Sequence, residues 1–232
     1  MVLSHKYKCI FVKVPKTAGT AIHRFFEEND PESIRSDLNE WPWGHRTADD
    51  LKNDPQIAPY WDSYFKFAFI REPFKWVVSL YNYEHEWDYS GETYSRLHAL
   101  LDDGRVRIPP DFKLNIFDVF KVFFLSRNVM RYYLPQTPYL NAPLDFIGIY
   151  ENIEEDFEFI KKRTGIPLDL NLAKVNVSRY NRPLTFDTTA REALNAVLKD
   201  DIRYYDLMYK KLDSPHKRSM GTTFFTTGPF PT

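Results

Sequence analysis

"FVKVPKTAGTAI", residues Phe11–Ile22, decides how this chain folds. An apolar run stops at Pro15. Lys16, Thr17, Ala18, Gly19 and Thr20 follow, and then a helical pattern begins. The chain has only 8 glycines in 232 residues, so a lysine, a glycine and two threonines gathered at one turn need a reason. A strand–turn–helix built from small residues is an anion site: the first-turn N–H groups have no acceptor within the helix, and the helix dipole favours negative charge. Lys16 adds a full positive charge, Gly19 permits close backbone approach, and Thr17 and Thr20 can donate hydroxyls. The competing reading is an ordinary strand–helix turn with Thr17 as the helix cap. The triphosphate-loop pattern GxxxxGK[ST] is absent, because the one glycine here lies three residues after the lysine.

Two further units repeat this logic. Tyr7–Val14 reads as a buried strand and Thr20–Glu28 as the helix after it. Tyr64–Ile70 is a second apolar strand, broken by "REP", with Pro73 suited to the first turn of a helix that runs to about Tyr83. Asp145–Tyr150 is a third strand. Asn152 and Glu155 have the spacing of a capping box for the next helix, which Gly165 and Pro167 end. A short helix is expected at Thr47–Asn53. A last long helix from Thr188 turns Leu194, Val197, Leu198, Ile202 and Tyr205 inward. Three strand-then-helix units imply an α/β fold, a three-layer arrangement with a P-loop-like parallel sheet flanked by helices. In such sheets ligands bind beyond the carboxyl ends of the strands, where Lys16, Arg71 and Glu151 fall. The expected organisation is a single domain over 1–232. Its donor motifs lie at 10–28, 64–83 and 145–182, a helical insertion at about 84–141 and a flexible tail at about 214–232. In the insertion, "YSRLHALLDDG" and "NIFDVFKVFFLSR" have helical spacing.

Composition narrows the class. Hydrophobic residues make up 43% and charged residues 27%, which is globular. The formal net charge of −1 gives no global field for nucleic acid. One cysteine, Cys9, excludes a disulfide framework and reads as a buried thiol. No apolar run is long enough for a membrane span, and "MVLSHKYK" has no signal-peptide core, so the expectation is a soluble, cytoplasmic protein.

"FAFIREPFKWVVSLYNY" places Arg71 at a strand end and Ser79 eight residues later on the helix. Arg71 reads as a planar fork for a second phosphate, with a surface salt bridge to Glu72 as the competing reading. "KVPKTAGTAI" resembles the 5′-phosphosulfate loop of sulfotransferases that use 3′-phosphoadenosine 5′-phosphosulfate, in the group with a PKTAGT-type loop that includes carbohydrate sulfotransferases. "FIREPFKWVVSLY" is similar to that group's 3′-phosphate motif, keeping Arg71, Pro73, Ser79 and Tyr81. "LDFIGIYENIEEDF" and "NVSRYN" resemble its later blocks. Ala21 stands where many members have serine. The resemblance implies that the loop Pro15, Lys16, Thr17, Ala18, Gly19, Thr20 and Ala21 holds the 5′-phosphosulfate. It implies that Arg71 and Ser79 hold the 3′-phosphate, and that Asn176, Ser178 and Arg182 (or Arg179) approach the nucleotide. The acceptor it implies is a hydroxyl or amine of a carbohydrate or small molecule.

Sulfuryl transfer is a displacement driven by positioning and charge stabilisation, and needs no metal. His85 and His98 have no metal-ligand spacing. Lys16 is placed to stabilise the leaving oxygen. Of six histidines, His45 in "WPWGHRTADDL" is the expected general base, with Glu84 and His85 as rivals. A P-loop-type small-molecule kinase and a non-catalytic nucleotide- or glycan-binding module are the alternative readings.

Overall fold

The computed structural model describes residues 1–36, 45–87, 113–115, 135–169 and 184–209, with backbone alone for 83–87. In chain order the elements begin with β1 (Val2–Ser4), β2 (Cys9–Val12), α1 (Gly19–Asn29) and β3 (Ile34–Arg35). Next come α2 (Ala48–Lys52), α3 (Ala58–Trp61), β4 (Phe65–Ile70), α4 (Pro73–Trp87) and β5 (Lys113–Leu114). They close with β6 (Phe146–Ile149), α5 (Ile153–Thr164), β7 (Thr185–Phe186), α6 (Thr188–Val197) and α7 (Lys199–Tyr209). The chain divides into two compact units.

The first unit comprises Met1–Glu72, Leu134–Val175 and Asp200–Thr232. Its sheet has the order β3-β1-β2-β4-β6. β2, β4 and β6 are parallel neighbours, with Phe11 opposite Phe67 and Phe67 opposite Phe146. β1 and β3 add an antiparallel edge, so the sheet is mixed rather than wholly parallel. Sequence reading missed both strands because they are three and two residues long and carry no turn glycine.

Alternation along the strands builds two cores. Cys9, Phe11, Phe67, Phe69 and Phe146 face one way and pack with Ile22, Phe25 and Phe26 of α1 and Phe157 and Ile160 of α5. Ile10, Val12, Ala68, Ile70 and Ile149 face the other way, toward Leu51 of α2, Trp61 of α3 and Tyr205 and Met208 of α7. This is the period-2 pattern of a sheet covered on both faces. Gly148 is required by packing: a Cβ there would sit 2.3 Å from Cε1 of Phe69, its register partner.

Two local expectations change. Asn152 makes no side-chain cap, because Tyr150–Asn152 form a 3-10 turn that leaves its backbone out of the extended capping geometry. The fully buried Asp156 carboxylate instead accepts the Ile149 N–H at 2.6 Å and ties β6 to α5. The last helix is two helices, divided at Leu198, and Val197 is exposed rather than inward. Thr47 does cap α2 through a complete capping box with Asp50.

The second unit comprises Pro73–Tyr133 and Asn176–Lys199. It holds α4, with Trp76, Val77 and Leu80 buried, and a short parallel pair β5–β7. Asp187 caps α6 through the Ala190 N–H, and Phe74 packs against Phe186 and Arg191. Within the span expected as helical, about 84–141, the described residues give the end of α4, β5 and a 3-10 turn at Thr137–Leu140. The two helices expected at 94–104 and 115–127, and the tail, lie outside the described residues, Asn115 excepted. Among the described residues no helix is long and apolar enough to cross a membrane.

Candidate active site at the carboxyl ends of the parallel strands

Because β2, β4 and β6 are parallel neighbours, the residues that follow them meet at one edge of the sheet. The turn after β2 has an unusual backbone. Lys16 and Ala18, neither of them glycine, both take left-handed conformations, at φ 60° and 66°. Such outliers are stored strain and cluster at ligand sites. Left-handed residues alternating with right-handed ones are the backbone pattern from which anion nests are built. Ala18 is the N-cap of α1 and offers no side-chain cap. The Thr17 hydroxyl does not cap the helix; it turns back and donates to the Val14 carbonyl at 3.0 Å. The first free acceptor of the helix, Ala18 O, is taken by the Ile22 N–H at 3.1 Å. The N–H groups of Gly19, Thr20 and Ala21 therefore have no acceptor within α1.

Lys13, which sequence reading passed over, lies under this turn. It is only 5% exposed, and a Cβ on Gly19 would fall 2.7 Å from its Cγ and 2.9 Å from its Cε. The glycine is thus explained by the lysine stem packed across it. Burial lowers the pKa of the Lys13 ammonium to about 8, and no carboxylate among the described residues pairs with it.

His45 joins the same turn. Its Nδ1 lies 3.1 Å from the Lys13 carbonyl. A carbonyl only accepts, so Nδ1 carries the proton and Nε2 keeps its lone pair in the neutral ring. Burial first, and then the charge of Lys13, hold the imidazole well below its ordinary pKa. His45 is therefore neutral at pH 7. Of the other described histidines, His5 is exposed with its Nδ1 2.9 Å from the Tyr64 hydroxyl. His23 is buried, tied by Nε2 to the Ser36 carbonyl at 3.1 Å, and burial lowers its pKa to about 4. The side chains of Glu84 and His85, and all of His98 and His216, lie outside the described residues.

At the end of β4, Arg71 forms no ion pair with Glu72 or any other described carboxylate. Its guanidinium carbon lies over the Tyr150 ring, 4.5 Å from the ring centre, and among the described residues its buried Nε has no hydrogen-bond partner. A buried, unpaired guanidinium N–H is a donor waiting for an acceptor. Glu151, after β6, is exposed and ties neighbouring elements together. It accepts the Glu72 N–H at 3.1 Å and the Tyr205 hydroxyl at 3.3 Å, binding the ends of β4 and β6 together.

The structure thus brings the turn from Pro15 to Ala21, His45 and Arg71 to one edge within the first unit. Ser79 is half-buried on α4 in the second unit. Asn176, Ser178, Arg179 and Arg182 lie outside the described residues. An open cavity of about 430 Å³ lies at the other edge, where β4 begins, lined in part by Lys6, Lys8, Lys66 and Arg163. Lys66 there is satisfied, paired with Asp145 at 2.7 Å and donating to the Trp61 and Tyr64 carbonyls.

A model of the sulfotransferase family matches residues 1–211. The chain belongs to the sulfotransferase family. That assignment carries transferase activity of the sulfuryl-transfer class, and the mixed sheet flanked by helices is consistent with it. An uncharacterised protein of Archaeoglobus fulgidus is 29% identical over 113 residues, covering 48% of this chain and 76% of that protein. No solved structure matches this sulfotransferase-family chain.

Proposed function

We propose that this protein moves the sulfuryl group of 3′-phosphoadenosine 5′-phosphosulfate onto a hydroxyl or amine of a carbohydrate or small-molecule acceptor, without a metal. The observation that carries the reading is the pairing of two anion-seeking features on neighbouring strand ends. One is the uncapped, left-handed turn before α1; the other is the Arg71 guanidinium with its unpaired, buried Nε. A nucleotide with phosphates on both its 5′ and 3′ positions would satisfy both.

The donor supplies an activated sulfuryl group on a phosphate that leaves readily. Toward it, the N–H groups of Gly19, Thr20 and Ala21 and the Lys16 charge hold the 5′ end, and Arg71 takes the 3′-phosphate. The resemblance adds Ser79, Asn176, Ser178 and Arg182 on the nucleotide. Lys16 also answers charge that grows on the leaving oxygen, which lowers the barrier more than it tightens ground-state binding. His45 accepts the acceptor's proton at Nε2. Its Nδ1 bond to the Lys13 carbonyl fixes ring and tautomer, and its lowered pKa keeps the lone pair available at neutral pH.

The test is transfer of label from a sulfuryl-labelled donor to a panel of sugar and aromatic alcohols in EDTA, with Lys16→Ala as control. Label on an acceptor with wild type and its loss with the variant is the expected result. Movement of the γ-phosphoryl group of ATP with magnesium, and none of sulfuryl, would replace this reading with a kinase.

A further inference from the structure

Gln136 has no place in any motif above, yet it is joined to Arg71, the residue to which the reading above gives the 3′-phosphate. The Arg71 N–H donates to Gln136 Oε1 at 2.7 Å, and Gln136 Nε2 donates to the Arg71 carbonyl at 2.9 Å. The two bonds use both halves of one amide, and the partners allow a single orientation of it. Gln136 is 2% exposed, so no water competes. Its own backbone is held in turn: its N–H donates to Asp201 Oδ2 at 2.7 Å. Asp201, 3% exposed in the first turn of α7, also accepts the Thr137 N–H at 2.8 Å and the Thr137 hydroxyl at 2.6 Å through Oδ1. The chain of bonds runs from α7 to the backbone of Arg71. On the side-chain end, the Tyr150 ring lies against the guanidinium, its centre 4.5 Å from Cζ. Arg71 is thus held at its backbone and contacted at its fork, while its Nε–H has no acceptor among the described residues. Rigid support around an unsatisfied donor is how a binding group is pre-organised.

We propose that Gln136, locked by Asp201, is a positioning residue that together with the Tyr150 ring aims Arg71 at the 3′-phosphate and so sets the preference for a 3′-phosphorylated nucleotide. The inference rests on the functional reading above. It differs from a general structural tie, because it ties Gln136 to one selectivity and not to nucleotide affinity as such.

The experiment is titration calorimetry of the full chain with 3′-phosphoadenosine 5′-phosphate and with adenosine 5′-phosphate. Wild type tests the functional reading: it must favour the 3′-phosphorylated ligand, and equal affinities end both that reading and this inference. Given the preference, Gln136→Met keeps the side-chain length and removes both amide bonds. It is expected to cut the affinity ratio about tenfold, the worth of one to two hydrogen bonds, with adenosine 5′-phosphate binding unchanged. Tyr150→Leu, which leaves the amide pair in place, is expected to cut the same ratio, and Gln136→Glu, which keeps the side-chain shape but loses the bond to the Arg71 carbonyl, decides the matter if Gln136→Met does not fold. A folded Gln136→Met protein with the wild-type ratio, or variants that weaken both ligands equally, would overturn the inference.

Discussion

Replacing Gly19 with alanine tests the turn before α1 at its tightest point. The new Cβ would lie 2.7 Å from Lys13 Cγ, 2.9 Å from Cε and 3.2 Å from Cδ. Ordinary contact begins near 3.4 Å, so the lysine stem must retreat by several tenths of an ångström. The Cγ sits close to the backbone and the side chain is 5% exposed, so no flexible end is free to swing into solvent. Overpacking of this kind costs about 1–3 kcal/mol. Alanine returns at most about 1 kcal/mol through helix propensity, and less at the first helical position. The net loss is about 1–2 kcal/mol, a fall in Tm of roughly 2–8 °C for a chain of this size. Because the Lys13 carbonyl orients His45 and its stem floors the anion turn, nucleotide affinity should fall as well. Thermal melts with and without 3′-phosphoadenosine 5′-phosphate read both effects. A variant that melts at or above wild type and binds the nucleotide equally well would show that Lys13 does not fill this space.

Three other predictions follow from the same corner. His45→Ala should retain nucleotide binding while turnover drops about 10²–10⁴-fold; because burial and Lys13 depress the His45 pKa, the wild-type acid limb should lie below pH 6.5 with a flat profile above, and a limb at or above 6.5 would refute the assigned environment. Lys16→Ala should lose roughly 2.7–4 kcal/mol of transition-state stabilisation in turnover rather than in Michaelis constant, and steady-state kinetics decide which. Lys13→Met should stabilise the free protein at pH 7: the folded ammonium has its pKa depressed to about 8 from 10.5, so the unfolded chain binds more protons between those values, wild-type stability rises with pH across that window, and the gain from the variant shrinks there. Denaturant midpoints at pH 7 and pH 10.5 measure it, and a gain equal at both values would count against a buried charged Lys13.

The parts that local pattern encodes were legible in the sequence. The apolar runs of β2, β4 and β6, and the breaks after them at Pro15, Arg71 and Glu151, marked the edge where the candidate site lies. His45 could be singled out by its position between motifs, but not its tautomer, which depends on a carbonyl 32 residues away. Lys13 was missed because a lysine at a strand end reads as solvated, whereas its stem is buried against Gly19. Gln136 left no local signal, since its partners Arg71 and Asp201 are each 65 residues distant. The capping spacing at Asn152 and Glu155 misled because a 3-10 turn and the buried Asp156 carboxylate took over the end of β6. Thr17 does not fit the competing reading as a helix cap, since its hydroxyl donates to the Val14 carbonyl.

The most direct test of the central claim is calorimetric titration of the wild-type chain, in EDTA, with 3′-phosphoadenosine 5′-phosphate beside ATP. Two anion-seeking strand ends and the family assignment predict a micromolar dissociation constant, about −8 kcal/mol, for the 3′-phosphorylated nucleotide without metal, and far weaker binding of ATP. Tight binding of ATP once magnesium is restored, with none of the 3′-phosphorylated nucleotide under either condition, would contradict it.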